Sequence, residues 1–170
     1  EDSCGVPLLI EGPGVPTGVV CSTPANLVDV HSTVVDLVGG ADAGARGSSL
    51  LQLANSPDDP DRVTFSEYHD GGATTGFFMV RSGRWKYVYY VGDRPQLFDL
   101  AADPDELDDL GMSPEHATVR TNLERQLREI VDPEEVSAQA FEDQAALLAS
   151  FGGLDGIGDQ LRFNHTPTPT

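Results

Sequence analysis

Lysine is almost missing from this chain. Lys86 stands alone beside nine arginines, against 28 acidic residues, and the formal net charge is −18. Such a polyanion repels phosphates, which excludes nucleic acid as a partner, and it repels anionic membrane surfaces equally. No apolar run approaches the roughly 18 residues needed to cross a bilayer, so no membrane partner is expected. Cysteine is scarce too: Cys4 and Cys21 are too few for a disulfide framework and neither lies in a C-x-x-C, so reduced thiols are expected. The four histidines (His31, His69, His116, His165) are scattered without ligand spacing, and no zinc site is expected. No G-x-S-x-G is present. Gly12-Pro13-Gly14 opens no helix, which argues against a phosphate loop. The run DLAADPDELDD lacks the turn glycine and the alternating acids of a calcium loop, and reads as a solvated Asp-Pro turn. The chain opens EDSCGVPLLI, with acids where a leader would carry basic residues and without an initiator Met. The expectation is a piece of a longer, cytoplasmic protein. Its acidity fits either an ordinary acidic protein or a halophilic one, in which salt screens the self-repulsion.

What remains is well patterned. Val6 to Gly14 is a short apolar run closed by Gly and Pro, the signature of a strand buried on both faces of a parallel sheet. Because no second such strand follows, its partners are expected upstream of Glu1. Leu27, Val30, Val34 and Leu37 recur at helical spacing, with Ser22 or Thr23 as the cap and Gly39-Gly40 as the stop. A Gly-, Pro- and Asp-rich loop follows, around a short turn at Leu50 to Leu53. Four short segments rich in aromatic and β-branched residues come next, RVTFSEY, GFFMVRS, GRWKYVYYV and QLFDL, separated by turns at Ser82-Gly83 and Gly92 to Pro95. They predict a small antiparallel sheet with Trp85, Tyr87, Tyr89 and Val91 on one face. Its cover is a helix capped by Ser113 and started by Pro114, with Val119, Leu123, Leu127 and Ile130 as its stripe. A second helix opens at Asp132-Pro133-Glu134-Glu135, runs to about Ser150 and stops at Gly152-Gly153. Its Val136, Ala140, Leu147 and Phe151 form a stripe with few partners left, which marks a contact with another domain or subunit. The tail RFNHTPTPT is expected to be extended.

One local cluster has the makings of a site. In SEYHD, Glu67 and His69 share one side of a strand at its end, where a carboxylate and an imidazole suit acid–base work or the binding of a cationic group.

Taken in order, VPLLIEGPGVPTG, LVDVHSTVVDLVG, FSEYHDGG, VRSGRWKYVYY and QLFDLAADPDELDDLG resemble the C-terminal part of the type I sulfatases of the alkaline-phosphatase-like superfamily, and the tail is similar to their choline-sulfatase-like branch. The resemblance implies an α+β fold: the last strand and helix of an α/β catalytic domain (residues 1–60), a four-stranded antiparallel subdomain with its packing helix (61–131), and a helical tail with an extended end (132–170). It implies sulfuric ester hydrolysis by a parent enzyme whose formylglycine arises from a C-x-P-x-R motif beside a Ca²⁺-like divalent ion. Neither Cys4, followed by GVPL, nor Cys21, followed by STPA, fits that motif. The nucleophile and metal ligands are therefore expected in a missing N-terminal catalytic domain, and this chain alone is expected to be inactive. The same likeness places Glu67 near the cationic end of the substrate and Lys86 and Trp85 in structural roles, and it favours a homo-oligomer formed through the tail. The alternatives are a catalytically silent acidic interaction or oligomerisation module, or a fragment of a phosphonate or phosphate monoester hydrolase.

Overall fold

Tyr-, Phe- and Val-rich segments that alternate in polarity form the centre of the molecule. In the computed structural model, which describes residues 5–40, 44, 46–69, 73–153 and 156, the strands are β1 (Thr64–Tyr68), β2 (Phe77–Ser82), β3 (Trp85–Tyr90) and β4 (Gln96–Asp99). They pair in sequence order, each antiparallel to its neighbour. The β2–β3 turn pairs Ser82 with Trp85 and needs glycine at position 83: its φ is +57°, and a Cβ there would lie 2.4 Å from an Asp61 carboxylate oxygen. Register then fixes the faces. Phe65, Val80, Tyr87 and Leu97 lie opposite one another across the four strands and point to one side. Helix α3 (Ala117–Ile130) covers that side, and its Leu123 and Leu127 join Phe78, Val80, Tyr87 and Leu97 in the buried core. Each such side chain contributes about 1.5–3 kcal/mol by leaving water. The α3 stripe read from the sequence is thus the packed face, with Val119 and Ile130 at its margins. Its start differs. A 3₁₀ turn over Pro114–His116 precedes it, and the Ser113 hydroxyl meets His116 Nδ1 at 3.1 Å instead of capping the helix.

Each edge of the sheet is blocked at one residue. At the β4 edge the Leu97 N–H donates to Asp109 Oδ1 (3.1 Å) and the Leu97 carbonyl accepts from the Leu110 N–H (2.8 Å). At the β1 edge the Asn26 side chain, with its amide turned to suit, donates to the Phe65 carbonyl (3.1 Å) and accepts from the Phe65 N–H (3.0 Å). A side chain thereby takes the place of a fifth strand.

Asn26 leads into helix α1 (Leu27–Leu37), which overturns the expected cap at Ser22 or Thr23. The reason is Asp29, whose carboxylate reaches back to accept the Asn26 N–H at 2.6 Å and so fixes the helix start there. The stop near Gly39 is as expected, with φ at +70°. The buried face is the polar one. The apolar stripe points outward, with Leu27 84% exposed, while Asp29 and Ser32 face inward. Asp29 is fully buried and accepts from Arg62 Nη1 and Nη2 (2.9 and 2.8 Å) and from the Ser48 N–H (2.8 Å). Thr33 Oγ1 accepts from Leu50 N–H at 2.8 Å, joining α1 to helix α2 (Leu50–Ala54). Polar pairing, not apolar burial, thus decides which way this helix turns. The apolar run from Val6 also departs from expectation. Residues 5–11 form no strand and Leu9 is 94% exposed, because a strand needs a neighbouring ladder and the described residues provide none beside it.

Helix α4 (Pro133–Ser150) begins as read: Asp132 Oδ1 accepts from the Glu134 and Glu135 N–H groups, both at 3.1 Å, and Gly152 ends it with φ at +82°. A surface network joins it to α3 and β3. Arg128 grips Glu134 with both Nη atoms (2.8 and 3.1 Å) and lies 5.1 Å over the Tyr89 ring, while the Tyr89 hydroxyl donates to Glu134 at 2.5 Å. The Arg128 guanidinium, then the Tyr89 hydroxyl, hold the Glu134 carboxyl at about 2 instead of its usual 4.5. The folded value lies below the unfolded one, so the added stability is fully present above pH 4.5 and is lost as pH falls from there through 2. Glu134→Gln is expected to melt below wild type at pH 7 and to match it near pH 2, measured by thermal melts at fixed salt. A gap that does not close in acid would show that the charge of Glu134 is not what stabilises the fold. Cys4, His165 and the RFNHTPTPT tail lie outside the described residues.

Candidate functional site

Glu67 and His69 sit at the end of β1, two residues apart, so a strand turns both to the same face. The structure brings them together: His69 Nε2 lies 3.7 Å from Glu67 Oε2, beyond hydrogen-bond reach. Asp70, the last acid of SEYHD, lies outside the described residues. The two side chains differ in access. The Glu67 side chain is 40% exposed, while His69 is wedged edge-on against Phe78, with ring centroids 5.1 Å apart. Gly76 allows this, because a Cβ there would lie 2.8 Å from His69 Nδ1. Helix α4 then closes over the imidazole. Gln144 Nε2 donates to the His69 carbonyl at 2.5 Å, and the gap lined by His69, Gly76, Ala140, Phe141 and Gln144 has no room for a water molecule. Within the described residues the imidazole is therefore a packed group that backs the strand end. The Glu67 carboxylate is the accessible member and can attract a cation.

Sequence reasoning missed a set of ion pairs that the QLFDLAADPDEL run makes with β3. Lys86, only 7% exposed, donates to both carboxylate oxygens of Glu106 (2.9 and 2.7 Å). Burial opposes the Glu106 charge, but the hydrogen bond and the charge of Lys86 are among the contributions that together hold the carboxyl below its usual range. Glu106 makes this contact from a left-handed backbone at φ +55°, the one non-glycine residue with positive φ among those described. Arg84 forms a bidentate pair with Asp99, also through Nε and Nη2. The signal for these pairs was present: a cation at each of positions 84 and 86, and an acid in each half of L-F-D-L-x-x-D-P-x-E. Buried Asp29 gave no local signal, because its partner Arg62 lies 33 residues away.

The formylglycine and divalent-ion chemistry implied by the resemblance finds no fit in these side chains. No described Cys stands in C-x-P-x-R, and no three His, Cys, Asp or Glu side chains come together among the described residues in a way that could hold a metal ion. Nor is any helix of the described residues long and apolar enough to cross a membrane.

Comparison with known proteins agrees with the sheet and its motifs. Residues 1–133 match the family described as N-sulphoglucosamine sulphohydrolase, C-terminal. The chain is 40% identical over 146 residues to Arylsulfatase K of Danio rerio, covering 81% of this chain and 28% of that protein. It is 39% identical over 118 residues to Choline-sulfatase of Rhizobium meliloti (strain 1021), covering 67% of this chain and 23% of that protein. Among solved structures, BT1596, a 2-O GAG sulfatase, matches with a TM-score of 0.51 at 27% identity, over 67% of this chain and 25% of that one. The phosphonate monoester hydrolase of Agrobacterium radiobacter shares the fold, with a TM-score of 0.51 at 24% identity over 59% of this chain and 23% of that one. The chain spans about a quarter of the length of the curated relatives it matches.

Proposed function

Because the chain belongs to the N-sulphoglucosamine sulphohydrolase C-terminal family, we propose that it is the C-terminal part of a sulfuric ester hydrolase whose nucleophile and metal ligands lie outside these residues. The observation that carries this reading is the family match over residues 1–133 in a chain that spans 28% of the Danio rerio relative. The outward apolar stripe of α1 and the exposed run from Val6 support it, since both are surfaces that want cover and the remaining three quarters of such an enzyme would supply it. In this reading the upstream catalytic part carries the formylglycine and the divalent ion. The four-stranded sheet walls its substrate cleft, and Leu147 and Phe151, exposed on and just after α4, serve contacts between subunits. Glu67 attracts the positively charged end of an ester such as choline sulfate.

The test sets the 170-residue chain beside the intact parent enzyme on choline sulfate and on a neutral aryl sulfate, with divalent cation and at fixed salt. The chain alone is expected to turn over neither, the parent both. In the parent, Glu67→Gln, which keeps shape and removes charge, is expected to raise KM for choline sulfate several-fold while leaving the aryl ester nearly unchanged. Metal-dependent turnover by the chain itself would overturn the division of labour. Equal losses on both substrates would remove Glu67 from the substrate and leave it as a residue that supports the strand.

A further inference from the structure

Arg81 lacks what most arginines of this chain have. Arg46, Arg62, Arg84, Arg120, Arg125 and Arg128 each donate to an oxygen of the chain itself. Among the described residues, only Arg81 and Arg94 leave a guanidinium without an acceptor. The two cases differ. Arg94 stands exposed in the β3–β4 turn, where water serves it. Arg81 is half-buried in β2, and its Nε is closed off from solvent while meeting no acceptor among the described residues. A donor enclosed in this way is costly, and each instance in a folded protein calls for an explanation. Nε itself is out of reach of a partner. The two Nη nitrogens are not enclosed and share the same delocalised charge, so they are where a partner binds.

The register shows what surrounds this charge. Arg81 pairs with Thr64 on β1 and with Lys86 on β3, so two cations stand side by side on one face of the sheet. Glu106 comes to Lys86 and gives it both carboxylate oxygens. No acid among the described residues comes within ion-pair distance of Arg81, although the chain carries 28 acidic residues. A chain with such a surplus does not leave a half-buried guanidinium open for want of acids. The acceptor therefore comes from elsewhere. A free phosphate or sulfate is a poor occupant, because the net charge of −18 repels it. A carboxylate fixed on a polypeptide is carried in by the surfaces around it. Such surfaces are at hand: Asn26, at the head of α1, bonds Phe65, the neighbour of Thr64, so Arg81 lies one row of the sheet from a helix whose apolar stripe faces outward. We infer that Arg81 receives an Asp or Glu side chain of the upstream part, in a charge-assisted pair made through its Nη nitrogens. The inference rests on the reading above in so far as that reading supplies an upstream part.

The test compares Arg81→Gln in the 170-residue chain and in the intact parent. In the chain alone the variant is expected to melt at or above wild type, because an unanswered charge is removed. In the parent it is expected to speed thermal inactivation roughly fivefold or more, the factor that goes with losing one such pair. Arg94→Gln is the control and is expected to change neither. The acceptor is then identified in a parent carrying Arg81→Lys. Carbodiimide joins an amine to a carboxylate only where the two touch. Lys86 is the sole native lysine of the chain, so the peptide holding position 81 reports one new cross-link by mass spectrometry, and the Lys86–Glu106 pair is the internal standard. The expected link runs from position 81 to an acid upstream of Glu1. A link to an acid within residues 1–170, or an equal effect of Arg81→Gln in chain and parent, would overturn the inference. Where no link forms, the contrast between chain and parent decides. Failure of the hydrolase reading shows separately: a parent without sulfate ester turnover that is still weakened by Arg81→Gln keeps the contact and loses the proposed function.

Discussion

Asp29→Ala is expected to destabilise the chain by about 3–5 kcal/mol, the usual result of removing one member of a buried ion pair. The substitution takes the carboxylate from the Arg62 guanidinium, whose side chain is only 18% exposed and which keeps its bond to the Pro24 carbonyl (2.6 Å), and it strands the Asn26 and Ser48 N–H groups. Burial by itself would raise the Asp29 carboxyl. The hydrogen bonds from Arg62, Asn26 and Ser48 more than offset that and hold it below its usual range, so the group is a carboxylate at neutral pH. Against a typical total of about 5–15 kcal/mol, the loss is large enough to abolish cooperative unfolding of the α1 region. The measurement is urea unfolding followed by circular dichroism, with Asp36→Asn on the exposed side of the same helix as control, expected to fall within about 0.5 kcal/mol of wild type. Should Asp29→Ala unfold alongside that control, the polar hub would be incidental to the placement of α1.

Glu106 supports a sharper contrast, because its backbone and its side chain ask for different residues. At φ +55° glycine would relieve strain, yet glycine would remove the carboxylate that neutralises Lys86. Glu106→Gly is expected to lose stability on the order of 2 kcal/mol despite the better backbone fit, since weakening the pairing of a buried ammonium outweighs the conformational gain. Glu106→Gln keeps the backbone preference and the shape, so it isolates the charge and is expected to lose a similar amount. A Glu106→Gly variant more stable than wild type in thermal melts would show that strain, not charge, governs the loop.

The elements that sequence alone located are those whose cause is local. Alternating aromatic strands, a glycine turn at 83, the Asp132–Pro133 cap and the Leu123–Leu127 stripe each rest on neighbours within about seven residues, and each stands in the structure. The misreadings concern partners far along the chain. Helix α1 has its cap at Asn26 and not at Ser22 or Thr23, and Arg62, 33 residues on, draws the polar face in through Asp29. The candidate site divides in the same way. The period of a strand sufficed to put Glu67 beside His69. Nothing near SEYHD indicates that Gln144, 75 residues later, would bond to the His69 carbonyl and bring α4 against it.

The blocked sheet edges bear on how the chain fares while it is still being synthesised. Asn26 emerges before β1, and Asp109 follows Leu97 by only 12 residues. Each rim of the nascent sheet therefore has its stopper already made or next in line. Two half-finished copies on neighbouring ribosomes thus have less opportunity to pair strand by strand at Phe65 and Leu97.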